Sequence, residues 1–339
     1  MTNPIDALLA EKGVLLADGA TGTNLFAMGL ESGEAPELWN ESAPEKIAAL
    51  HRGFVDAGAD IILTNSFGGT RHRLKLHNAQ DRVFELNRRA AELARKVADA
   101  AGRKVIVAGS VGPTGELLQP LGALTYDEAV EAFAEQMEGL KAGGADVAWI
   151  ETMSSPDEIR AAAQAAIRVG MPYTFTASFD TAGRTMMGLA PKDIHGVAEG
   201  LAQAPIGIGA NCGVGASDIL ASLFDMAEAR PEATLIVKGN CGIPEFRGTE
   251  IHYSGTPELM ADYVRLAVDG GAKIIGGCCG TSFEHLAAMR HALDAHHKGA
   301  RPTVDEVVAR IGPLRNKVAA DSGAGSGGEG RRERRRVRA

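Results

Sequence analysis

The chain has 339 residues, 45 % hydrophobic and 5 % aromatic, with a formal net charge of −8. That acidic balance argues against a general affinity for nucleic acid, and four cysteines in such a length exclude a disulfide-built scaffold and point to a reducing compartment. The length suits one large or two medium globular domains.

The opening stretch MTNPIDALLAEKG has no basic segment leading into an apolar core, so no secretory signal is expected there. No uncharged apolar run reaches the roughly 18–20 residues that cross a bilayer, and a cytoplasmic protein without membrane contact is expected. Short apolar, β-branched runs then recur along the chain: GVLLADGA from Gly13, ADIILTNSF from Ala59, KVIVAGSVG from Lys104 and DVAWIETM from Asp146. YTFTASFD from Tyr173, PIGIGANCG from Pro205, TLIVKGNCG from Thr234 and AKIIGGCCG from Ala272 follow. Each is continuous rather than alternating, as in strands buried on both faces, and each ends in glycine or a small polar residue. Between them lie helical patterns. DRVFELNRRAAELARKVADAAG sets Val83, Leu86, Ala90, Leu93 and Val97 on one stripe, and TYDEAVEAFAEQMEGLKAGG starts with an N-cap signal and stops on Gly143–Gly144.

Eight such units predict a single (β/α)8 TIM barrel over residues 1–318. A doubly wound open sheet is the alternative, disfavoured because no G-x-G-x-x-G follows the first strand. Residues 319–339 are Gly/Ser-rich and then Arg-rich, with little to bury, and read as a disordered, solvated tail. The connections Gly68–Gln80 and Ile243–Thr256 read as long loops able to cover the barrel mouth or dock a partner.

In such a barrel the functional groups sit where strands end. Asp18, Asn65, Ser110, Glu151, Ser178, Cys212, Asn240 with Cys241, and Cys278 with Cys279 close the eight predicted strands in order. All four cysteines therefore reach one rim, on three consecutive strands. Thiolates clustered in a reducing cell are soft ligands for zinc. Neighbours on a regular strand face opposite ways, so Cys278 and Cys279 can serve one ion only where the chain bends, which Gly276, Gly277 and Gly280 permit. With Cys212 they are expected to form the corners of a metal site.

DGATGT (18–23), GADIILTNSFGGTRHRL (58–74), GSVGPTGELLQPLG (109–122), IET (150–152), ANCGVG (210–215) and GGCCGT (276–281) together make the resemblance specific. In order and in motif the chain resembles the zinc-dependent homocysteine S-methyltransferase family, from about Leu8 to Ala295. It is most similar to the homocysteine-binding module of cobalamin-dependent methionine synthase, a module shared with betaine–homocysteine and S-methylmethionine–homocysteine methyltransferases. The resemblance implies that Cys212, Cys278 and Cys279 bind Zn²⁺ and that the homocysteine sulfur takes the fourth position. A free thiol with a pKa of about 8.5 is mostly protonated at neutral pH, and coordination supplies the thiolate. Methyl transfer then needs no side-chain base. Asp18 and Glu151 are expected to hold the substrate ammonium, and the turn from Gly19 to Gly22 its carboxylate. Asn211 and Asn240 are expected to support the metal shell by hydrogen bonding. Cys241 departs from the family; a spectator thiol is favoured over a fourth ligand, which would make the site structural.

The donor is harder to read. Betaine enzymes cage the quaternary ammonium in aromatic rings, and this chain has Gly68 and Thr152 at two of the places where such rings sit. Methylcobalamin on a separate corrinoid protein is therefore the preferred donor, with betaine or another onium compound as the alternative. A non-catalytic zinc or thiol-redox sensor, with Cys241 as fourth ligand, is the reading from a different class.

Overall fold

The computed structural model describes residues 3–242, 244–247 and 250–316; the tail 319–339 and the boundary expected at 318 lie outside them. Each apolar run contains a strand: β1 Leu15–Leu16, β2 Ile61–Leu63, β3 Ile106–Val111, β4 Val147–Met153, β5 Tyr173–Ala177, β6 Gly207–Cys212, β7 Leu235–Gly239 and β8 Ile274–Gly277. All pairings in this 8-stranded sheet are parallel, and β8 lies between β1 and β7. A parallel bridge between Ala17 and Ile61 brings β1 against β2. The result is a nearly closed TIM barrel.

The two faces of the sheet make two cores. Leu15, Ala17, Ile61, Leu63, Ile106, Ala108, Val147, Trp149, Ile236 and Ile274 fill the inside. Leu16, Ile62, Val107, Ala148, Ile150 and Val237 join the larger core between sheet and helices. Both sets are buried, which explains why the strands read as unbroken apolar runs. The helix Val83–Asp99 buries the predicted stripe. The helix Tyr126–Ala142 begins with a capping box between Thr125 and Glu128, and Pro156–Val169 ends on a left-handed Gly170.

Two connections differ from open loops. After β2 the chain forms short helical turns, Arg71–Leu74 and Lys75–His77, the first capped by Thr70. After β7 it forms a two-stranded antiparallel hairpin, Pro244–Arg247 with Glu250–Tyr253. Between β5 and β6 the only helical element among the described residues is the 3-10 helix Pro191–Gly196; Gly183, Gly188, Gly196 and Gly200 in that stretch disfavour a longer helix. Among the described residues no helix is long and apolar enough to cross a membrane.

Packing between β6 and β7 leaves no room for a side chain at Gly209, where a Cβ would stand 1.8 Å from the Ile236 carbonyl oxygen. Gly209→Ala is expected to destabilise the fold by about 3 kcal/mol, read as a lower denaturant midpoint in an unfolding titration.

Candidate active site

Above the apolar interior the inward positions change character. Ser110 follows Ile106 and Ala108 on β3, Glu151 follows Val147 and Trp149 on β4, and Lys238 follows Ile236 on β7. By the two-residue period of a strand all three continue the inward face, as does Asn211 on β6, while Asn240 and Cys278 keep the same parity one residue beyond the ends of β7 and β8. Most of them are buried, so the top of the barrel holds a dense polar layer.

The Sγ atoms of Cys212, Cys278 and Cys279 lie within 4.8 Å of one another. Two breaks in the pleat bring them together. Cys212 would face outward after inward Asn211, but it adopts φ 62°, followed by Gly213 at φ 73°, and this left-handed turn swings its thiol to the mouth. A non-glycine residue in that region is strained, a feature concentrated at functional sites. After β8 the chain curls: Cys278 N–H donates to Gly239 O at 2.7 Å, Thr281 N–H donates to Cys278 O at 3.1 Å, and Gly280 sits at φ 80°. The curl returns Cys279 to the side of Cys278.

Asn240 ties the two arms. Its Nδ2 donates to Gly213 O at 2.8 Å, while its Oδ1 accepts the Cys279 N–H at 3.1 Å. Tyr253, at the end of the hairpin, packs over Gly280, where a Cβ would meet its ring, and its hydroxyl hydrogen-bonds with Cys279. The hydrogen bond with Cys278, with burial adding to it, pushes Cys212 up to about 12; the bond with Cys212 and burial push Cys279 up to about 11. For Cys278 the bond with Cys212 lowers the pKa, but the bond with Cys279 and burial outweigh it, so this thiol is raised as well. Cys241 stands apart. It is fully buried, its sulfur faces Gly255, and burial pushes it up to about 12.

The carboxylates lie below. Asp18 Oδ1 accepts from Lys238 Nζ at 2.6 Å, and its Oδ2 accepts the Leu63 N–H at 2.7 Å. Burial raises the Asp18 pKa against the pull of Lys238. Glu151 accepts from Ser110 Oγ at 2.5 Å; burial raises it too, against Lys238 and the Ser110 bond. Burial works against the charge on Lys238, but Asp18 and Glu151 together outweigh it and its pKa is raised. Gly19 is required by close approach, since a Cβ there would lie 2.7 Å from both the Phe54 ring and Thr281 O. In the same turn the Ala20 N–H is committed to Thr281 O.

Asn211 differs from its expected place beside the metal shell. Its Oδ1 accepts from Thr152 N–H at 2.8 Å and Thr176 Oγ1 at 2.6 Å, and its Nδ2 donates to Thr152 Oγ1 at 2.7 Å. It holds Thr152, at φ 60°, and so fixes the irregular turn of β4 that presents Glu151. Lys238 and Tyr253 are the residues that sequence reasoning missed. A lysine inside the apolar run TLIVKGN, with the parity of Ile236, was the available signal for Lys238. Tyr253 gave none, because its place depends on the hairpin.

Fold and rim together define a (β/α)8 barrel whose mouth carries a three-thiol cluster above buried carboxylates. The chain belongs to the homocysteine S-methyltransferase family, which it matches over residues 15–293. It is 30 % identical over 301 residues to the methionine synthase of Mycobacterium tuberculosis (strain ATCC 25618 / H37Rv), an alignment covering 83 % of this chain and 24 % of that protein. The chain thus spans about a quarter of the length of that relative. Among solved structures it is similar to the homocysteine methyltransferase MmuM from Escherichia coli. The metallated form is 27 % identical with a TM-score of 0.71, covering 85 % of this chain and 99 % of that one. The oxidized form is also 27 % identical, with a TM-score of 0.72 and coverage of 86 % and 99 %.

With the pKa of all three thiols raised, a metal held by them would have to displace their protons. Zinc affinity is expected to rise with pH by up to about three log units per pH unit, measured by chelator competition between pH 6 and 8. Asn240→Ala, which unties the two arms, is expected to weaken zinc binding by roughly 10–100-fold in the same titration.

Proposed function

We propose that this chain is a zinc-dependent homocysteine S-methyltransferase that forms methionine. The observation that carries the reading is the convergence of the Cys212, Cys278 and Cys279 sulfurs within 4.8 Å at the rim of a barrel of this family. The donor set fits the metal: tetrahedral zinc with bonds of ~2.3 Å sets its sulfurs about 3.8 Å apart, which small side-chain rotations achieve. Bound there, Zn²⁺ would make an incoming thiol available as thiolate at neutral pH, while three cysteine thiolates keep that sulfur electron-rich.

The protein's own residues do the rest. Cys212, Cys278 and Cys279 give up their protons on loading, and Asn240 keeps the two arms in register. Glu151 receives the substrate ammonium, oriented by Ser110 and by the Asn211–Thr152 clamp. Asp18 supports this end of the site from below, since both of its oxygens are already engaged. Gly19 lets the first turn approach Thr281, bringing its backbone close to where the substrate carboxylate would lie. The substrate sulfur then forms a bond to the methyl carbon as the donor departs with the electron pair, and no side-chain base takes part.

We assign the donor to methylcobalamin carried by a separate corrinoid protein. The similarity to methionine synthases supports methylcobalamin as the donor. So does Trp39, whose ring already has Lys46 Nζ over it at 4.3 Å and is not free to cage an onium donor. Four free cysteines suit a reducing cytoplasm.

Cys212→Ala and Cys278→Ser are each expected to lower homocysteine methylation by roughly two orders of magnitude or more, with zinc content falling in parallel. Cys241→Ala is expected to keep both; loss of metal in that variant would instead favour a four-thiol structural site. In an assay of zinc-loaded protein with homocysteine, methylation is expected with a methylcobalamin protein and not with betaine. Turnover on betaine alone would overturn the donor assignment.

A further inference from the structure

At the end of the barrel opposite the thiols, three cations converge on a single carboxylate. Asp60 directly precedes β2 and its side chain is 1 % exposed. Its Oδ2 accepts the Leu16 N–H at 3.0 Å, a tie between β1 and β2 that accounts for the carboxylate. Lys12 Nζ lies 2.6 Å and Arg103 Nη1 3.9 Å from its Oδ1, and Arg290 Nη1 lies 3.2 Å from its Oδ2. One cation is enough to balance one buried carboxylate, so the tie between strands leaves two of the three unexplained. Arg290 is also paired with Asp294, yet its Nε is buried and meets no acceptor among the described residues. The same groups line a cleft of about 560 Å³, with Lys298 as a fourth cation and Val14, Val268 and Leu293 as an apolar wall.

Four cations against two carboxylates, Asp60 and Asp294, leave this cleft with two positive charges, although the chain as a whole carries −8. His296 at its edge is already held by Asp269 at 2.8 Å. The side chains of Lys12, Arg103 and Arg290 are only 22–34 % exposed, so water screens their mutual repulsion incompletely, and an anion between them would remove it. We propose that the cleft binds a doubly charged phosphate group, with Lys12, Arg103, Arg290 and Lys298 supplying the cations. Guanidinium forks match phosphate oxygens. The volume is that of a small-ligand pocket and exceeds what a single phosphate fills, so the apolar wall is placed to take the body of a phosphate ester. This end of the barrel shares no residue with the thiol rim, and its ligand is independent of the methyl-transfer reading.

The test is calorimetric titration of the full chain, at low ionic strength and pH 7.5, with phenyl phosphate, inorganic phosphate and benzenesulfonate. Phenyl phosphate is expected to bind about tenfold or more tightly than benzenesulfonate, which carries the same ring and a single charge. Tighter binding of phenyl phosphate than of inorganic phosphate assigns the cleft to a phosphate ester, and equal binding assigns it to free phosphate. Lys12→Ala/Arg103→Ala is expected to weaken phenyl phosphate binding by about 100-fold, roughly tenfold for each charge-assisted bond lost. Because that variant strips two partners from Asp60 and can fail to fold, Lys298→Glu, which touches none of the Asp60 bonds, is expected to weaken binding by about tenfold or more. Absence of binding of either phosphate by the wild type overturns the inference. So does wild-type affinity in either folded variant, or benzenesulfonate binding as tightly as phenyl phosphate.

Discussion

A parallel sheet rolled into a nearly closed barrel gives each strand only every second residue to spend on the interior, and the rest of this structure follows from that period. Below, the inward positions hold Ile61, Ile106, Val147, Trp149, Ile236 and Ile274, packed as a dry core. Above, the same positions hold Ser110, Glu151, Asn211, Lys238, Asn240 and Cys278. The apolar layers make the polar layer rigid, because its side chains grow from strands that cannot shift without breaking the packing beneath. A site built on such elements is held more tightly than one built on loops alone.

The three-thiol cluster appears where the period is broken. Cys212 and Thr152 both adopt left-handed backbone, at φ 62° and φ 60°: the first swings its own thiol to the mouth, and the second directly follows Glu151, the last inward carboxylate of β4. Such conformations persist only where surrounding contacts over-determine them. Asn211 supplies those contacts at Thr152, and Asn240 supplies them across the gap between Gly213 and Cys279. The two asparagines therefore have different duties, one toward the carboxylate end and one toward the sulfur end.

Charge is arranged as carefully as geometry. Three thiols that repel one another once ionised stand near two buried carboxylates, a collection that would be untenable without cations. Lys238 is the resident one. In the proposed reaction the metal and the substrate ammonium are the visitors, and each has its own anionic seat.

The fold was legible in the sequence, because two-sided burial writes itself as eight continuous apolar runs and helix caps mark the gaps. The cysteine cluster was legible once those runs were read as one barrel, since strand ends must then share a rim. Glu151 could be named for the same reason. What sequence did not contain was how the pleat breaks at Cys212 and Thr152, which face Asn211 would serve, or that Lys238 reaches across to Asp18, 220 positions away in the chain. Those are consequences of closure: contacts between strands distant in sequence depend on register and on local backbone turns, and only the folded barrel sets either.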